Sequence, residues 1–239
     1  MNRFILILSL CLVASPQITG QDAAKSPRPG DLNVLFIAVD DLRPQLGCYG
    51  KAFMHTPHFD RLAKRSVLFE RAYCMVPTCG ASRASLMTGV RPSPTRFVSY
   101  TARADQEAPQ AIPLNRFFKS AGYETISLGK VFHFTDDSLD GWSQKPWRPQ
   151  TSDFHDRAAE RAAIKAHRAK YPNRKKVRGK PYESFDAPDE EYRDHETASQ
   201  AISHLTRLGK SKKPFFLAVG FPQPHLPFCA PKQYWDLYD

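Results

Sequence analysis

The sequence contains no CxxC pair, no internal repeat and, beyond its first twenty residues, no long apolar run. The missing cysteine pairs argue against a zinc ribbon, and the five cysteines are not spaced like those of a small disulfide-stapled scaffold. The lack of a second apolar run excludes a membrane-spanning helix in the body of the chain. Acidic residues are also scarce: 24 Asp and Glu stand against 34 Lys and Arg, for a formal charge of +10. That balance favours anionic partners through long-range attraction. Nucleic acid is the first to weigh, but the charge is concentrated between Arg157 and Lys180. A solvated helix and loop face explains that better, and the expectation is no nucleic acid. A sulfated polysaccharide would feel the same field.

What is present suits a globular protein: 41% hydrophobic and 12% aromatic residues over 239 positions can bury a sizeable core. Residues 1–20 read as a secretory signal, with Arg3 before the short apolar run Phe4 to Val13 and small residues up to Gly20. Leu10 stands where a lipid-anchored leader ending at Cys11 would carry a small residue. Residues 21–31 read as a polar linker, and 32–239 as one catalytic-domain portion. The expected location is secreted or periplasmic, or lysosomal in a eukaryote.

Asn33 to Val39, NVLFIAV, is a continuous apolar run of strand length, the pattern of a central strand covered on both faces. It ends in Asp40 and Asp41. Pro57 to Arg65 predicts a helix capped by Thr56, Val67 to Ala72 a short strand, and Ser82 to Met87 the start of a second helix. Pro113 to Ala121 reads as an amphipathic helix closed by Gly122, followed by a strand from Tyr123 to Leu128. Residues 135–190 read as irregular, Glu190 to Leu208 as helical, and Pro214 to Val219 as a buried strand. Alternating strands and helices predict an α/β fold, a mostly parallel central sheet with helices on both faces.

Three strand ends then present polar groups: Asp40 and Asp41, Lys130 and His133, and His225. Singly, each has an ordinary explanation as a cap or a loop residue. Together they share the edge at which open α/β sheets bind ligands. Adjacent carboxylates repel unless a cation holds them, and hard oxygens suit calcium or magnesium. Cys79 precedes a helix start, where the dipole favours an anion, and Arg83 lies one turn on. The residues alone permit a structural cysteine, a thiolate nucleophile or an anion pocket.

The stretch CGASRASLMTG, Cys79 to Gly89, resembles the signature of the formylglycine-dependent type I sulfatases of the alkaline phosphatase superfamily. Cys79, Ala81, Arg83, Thr88 and Gly89 occupy the signature positions; alanine at 81 departs from the commoner proline. NVLFIAVDDLRP (33–44), HTPHFDRLAKRSVLFERAYC (55–74), GYETISLGKVFH (122–133) and PFFLAVGFPQPHLPF (214–228) extend the resemblance, most similar to the iduronate-2-sulfatase branch.

The resemblance implies that a formylglycine-generating enzyme oxidises Cys79 to formylglycine. One hydroxyl of its hydrated aldehyde attacks sulfur and the other expels sulfate. It also implies calcium on Asp40, Asp41 and residue 79, with Arg83 holding the formylglycine. Lys130 would contact sulfate, His133 the hydrated aldehyde, and His225 the sulfate or the leaving oxygen of a sulfated carbohydrate. The family carries a further Asp-His or Asp-Asn metal pair and a lysine downstream, so a fragment or a degenerate relative is expected here. A phosphoester hydrolase of the superfamily and an inactive binder of sulfated glycans are the alternatives.

Overall fold

A computed structural model describes residues 32–238, so the signal and linker expected in 1–31 lie outside the described residues. The elements run β1 (Val34–Val39), α1 (Pro57–Ala63), α2 (Cys79–Thr88), α3 (Ala104–Glu107), α4 (Leu114–Ser120), β2 (Glu124–Gly129), α5 (Arg157–Lys170), β3 (Tyr182–Phe185), α6 (Arg193–Leu208), β4 (Phe215–Phe221), β5 (Phe228–Pro231) and α7 (Lys232–Trp235). The main sheet has the order β1-β4-β2 and is parallel throughout. A smaller parallel pair joins β3 to β5.

Successive side chains of a strand point to opposite faces, and β4 uses this to build two cores. Phe216 and Ala218 face one cluster with Ala81, Ala84, Met87, Phe97 and Trp142. Phe215, Leu217 and Val219 face the other with Ile126, Leu128 and Leu208. Thus α2 and α4 cover one face and α6 the other, which is the layered α/β arrangement the alternation predicted. The ring of Phe216 stacks on Phe118 with centroids 4.6 Å apart. Burying each such side chain contributes about 1.5–3 kcal/mol.

Three expectations need correction. NVLFIAV forms β1 but not a central strand: among the described residues it pairs only with β4, leaving Leu35 46% and Ile37 53% exposed. The fully covered centre is β4. Val67 to Ala72 forms no strand, because no neighbouring strand takes its backbone hydrogen bonds and Val67 is 81% exposed. Residues 135–190 are not irregular throughout. Alanine-rich RAAERAAIKAHRAK has strong helix propensity and forms α5, whose first turn is capped by Asp156 accepting from the Ala159 amide at 2.8 Å.

Candidate active site

Asp40 follows the last residue of β1 and is 5% exposed. Its amide donates to the Phe221 carbonyl at 2.9 Å, which ties the end of β1 to the end of β4. Arg83 Nη2 donates to Asp40 Oδ1 at 2.8 Å, and Lys130 Nζ donates to Asp40 Oδ2. Burial pushes the Asp40 carboxyl up, but the charges and hydrogen bonds of Arg83 and Lys130 outweigh it and hold the group below the usual carboxylate range. Arg83 Nη1 also donates to the carbonyls of Lys130 and Val131, the latter at 2.9 Å. One guanidinium therefore fastens α2 to the ends of both β1 and β2. Its Nε is buried and has no hydrogen-bond partner among the described residues.

Cys79 is the first residue of α2, three positions before the expected helix start, and it is a half-buried free thiol. Thr78 at the cap position makes no side-chain bond to the first turn, so the helix start is left open to another acceptor. Arg83 lies one turn further along the same helix face. Gly80 sets how deep this end sits: a Cβ there would lie 2.0 Å from the Tyr100 carbonyl oxygen. Gly220 does the same at the end of β4, where a Cβ would meet the Lys130 carbonyl oxygen at 2.0 Å.

Beyond the ends of β2 and β4 lies a cavity of about 340 Å³, lined by Lys130, His133, Arg148, Arg193, Gln223 and His225 among others. Burial, then the charges of Lys130 and Arg148, lower the pKa of His133, which favours a neutral ring at neutral pH. Its Nδ1 is buried without a hydrogen-bond partner among the described residues, and Tyr100 meets the ring edge-on at 6.1 Å. His225 Nδ1 donates to the Leu226 carbonyl at 2.6 Å, and its Nε2 lies 3.8 Å from Asp41 Oδ2. Asp41 has a positive φ of 56° and a side chain 59% exposed. The structure thus joins Asp40, Arg83 and Lys130 directly, sets His133 and His225 around the adjoining cavity, and leaves Asp41 at its solvent edge.

The sulfatase family profile matches residues 32–239. The chain belongs to the sulfatase family. It is 36% identical to human iduronate 2-sulfatase over 99% of its own length and 43% of that protein's. It is 32% identical to a sulfatase of Formosa agariphila, covering 99% of this chain and 47% of the relative. A choline-sulfatase of Rhizobium meliloti is also 32% identical, over 88% of this chain and 41% of the relative. The chain therefore spans less than half the length of these relatives. Among solved structures, a phosphonate monoester hydrolase of Agrobacterium radiobacter superposes with a TM-score of 0.59 at 24% identity, covering 86% of this chain and 44% of that one, which supports the fold.

For a sulfatase, the donors for calcium are right in kind and short in number. Asp40 and Asp41 offer hard oxygens, whereas calcium takes about six to eight. Among the described residues, no group of three or more His, Cys, Asp or Glu side chains is placed to hold a metal ion. Asp40, Asp41 and Cys79, expected to share calcium, are not gathered into one shell. Asp40 takes its positive charge from Arg83 and Lys130 instead.

Sequence reasoning missed Arg148 and Arg193, which line this cavity. Arg148 is placed by Trp147, whose amide donates to the Ser127 carbonyl at 3.0 Å and whose carbonyl accepts from the Gly129 amide at 2.9 Å. These bonds seat residue 148 beside Lys130. A tryptophan between Pro146 and Arg148 was the available signal, hidden in a segment without periodicity. Arg193 opens α6 and pairs with Asp153 at 2.6 Å. Nothing local in the sequence marks that pair, whose members are 40 residues apart.

Proposed function

We propose that this chain forms the nucleophile-bearing part of a sulfate ester hydrolase that acts on a sulfated sugar by way of formylglycine at position 79. The single observation that carries the reading is the Asp40, Arg83 and Lys130 cluster, built from two strand ends and the helix that begins at Cys79. Two cations around one carboxylate leave net positive charge where an ester sulfate would enter. The named activities of the similar iduronate 2-sulfatase and choline-sulfatase agree with that chemistry. Formylglycine, made by a generating enzyme, would supply a hydrated aldehyde with one hydroxyl to attack sulfur and another to drive release of sulfate. Calcium on Asp40 and Asp41, with further oxygens from outside the described residues, would offset negative charge on the sulfate.

The chain's own groups have distinct tasks in this reading. Arg83 is held rigid by Asp40 and two carbonyls, and its open Nε serves the modified residue 79. Lys130 holds a sulfate oxygen. His133, neutral and short of a partner at Nδ1, exchanges a hydrogen bond with the hydrated aldehyde. His225 lines the cavity and would hand a proton from Nε2 to the departing alcohol oxygen. The signal sequence expected in residues 1–20 would direct this work to an exported compartment.

Two measurements on protein coexpressed with a formylglycine-generating enzyme test this. The tryptic peptide containing Cys79 should show the mass of the aldehyde or its hydrate, and para-nitrophenyl sulfate should be cleaved faster than para-nitrophenyl phosphate. An unmodified thiol removes the proposed nucleophile. Faster phosphate release favours the phosphoester reading. A modified Cys79 without turnover favours a sulfated-glycan binder.

A further inference from the structure

The cavity beside the strand ends is lined by three permanent cations, and their surroundings differ. Lys130 is paired with Asp40, and Arg193 with Asp153 at 2.6 Å. Arg148 has no carboxylate partner among the described residues. Its Nη2 donates to the carbonyls of Phe132 at 2.8 Å and His133 at 3.0 Å, while its Nε is buried without a partner among the described residues. Burial, then the neighbouring Arg83 and Arg193, press its pKa below the usual arginine value. A half-buried guanidinium beside other cations costs free energy that two neutral carbonyls recover only in part. Such a cost persists in a fold where an anion arrives to offset it. The scissile sulfate is already provided for by Lys130 and the helix start that bears Cys79.

We propose that Arg148 receives a second anionic group of the substrate, a carboxylate or a further sulfate, so that the site selects doubly anionic sulfated sugars. This rests on the sulfatase reading of the same site. With Nη2 given to the two carbonyls and Nε buried, Nη1 is the donor left for such an anion, a direction set by the planar guanidinium that a flexible lysine does not reproduce. The cavity volume of about 340 Å³ falls within the range of small-molecule sites.

The test compares kcat/KM of the full chain, coexpressed with the generating enzyme, for a uronic acid sulfate, a glucosamine disulfate and para-nitrophenyl sulfate. In Arg148→Gln, the preference for at least one doubly anionic sugar over the aryl ester should fall by about tenfold to a hundredfold. Arg148→Lys, which keeps the charge and guards against a folding defect, should fall less. Whichever sugar loses preference identifies the group, carboxylate or sulfate. A purely structural role, clamping the loop that carries His133, would lower all three substrates alike and overturn the proposal. So would an unchanged preference in both variants. Calorimetric binding of the same compounds to Cys79→Ala, with and without Arg148→Gln, reads the preference without turnover. Absence of any sulfate hydrolysis by the unmutated chain therefore counts against the sulfatase reading alone. An equal preference for the doubly anionic sugars in the two binding experiments counts against Arg148.

Discussion

At the strand ends, Arg83 and Lys130 close on one buried carboxylate, whereas the positive charges between Arg157 and Lys180 stand largely in water, on a helix with no buried residue and in the loop after it. The charges have the same sign and the same sequence-level appearance, yet their energetics differ. In the first region, little water screens the pair and each charge depends on its partner. In the second, solvent and salt screen every charge, and an ion pair such as Arg157 with Glu160 at 3.0 Å is worth little. Charge count thus says where anions are drawn, and burial says where they are held.

The strongest way to break this contrast is Asp40→Asn. It leaves two cations buried without their carboxylate, and stability should drop by about 3–5 kcal/mol in urea unfolding. Because the folded pKa of Asp40 is lowered from 3.8, its contribution is present above that value and is lost as pH falls through the lower folded value. A wild-type curve flat in that acid range, or a variant as stable as the parent, would count against the cluster as described.

A smaller effect of opposite sign is expected at Asp194. Burial pushes its pKa up to about 6, and its Oδ1 has no hydrogen-bond partner among the described residues. A raised acid stabilises fully below the unfolded value of 3.8 and loses that stability as pH rises through about 6. Asp194→Asn should therefore be the more stable protein at neutral pH, by about 2–3 kcal/mol, with the gap closing toward pH 4. Equal melting temperatures across that range would contradict a partly buried carboxylate held by one amide, that of Gln223 at 3.3 Å, with Oδ1 left open.

The smallest change in stability is expected where charge is densest. Replacing the exposed Lys165, Arg168 and Lys175 with glutamine should alter unfolding free energy by within about 0.5 kcal/mol. The same triple variant should elute earlier from an immobilised sulfated polysaccharide, and the difference should shrink as salt is raised. A stability loss comparable to that of Asp40→Asn would erase the distinction between the two regions.

Much of the site was legible because strands announce their ends. The apolar runs at 33–39, 123–128 and 214–219 placed Asp40, Lys130 and His225 at one edge, and CGASR placed Cys79 at a helix start. Arg148 was not legible, since its seat depends on Trp147 pairing with the end of β2 rather than on any local pattern. The expected strand at Val67 to Ala72 failed for a related reason. A run of strand-forming residues specifies a strand only when a neighbour takes its backbone hydrogen bonds.

By itself, the sequence determined which segments are apolar enough to be strands, where each stops, and which polar residues stand just past the stop. Only the tertiary structure decided the order β1-β4-β2, and with it that Asp40 and Lys130, 90 residues apart, reach one another across β4. The reason is physical. Strand boundaries follow from local hydrophobicity, whereas strand order follows from which faces pack. Here, the alternating side chains of β4 fill two cores at once, and Gly220 lets the backbone after β2 come close enough for the charges to meet.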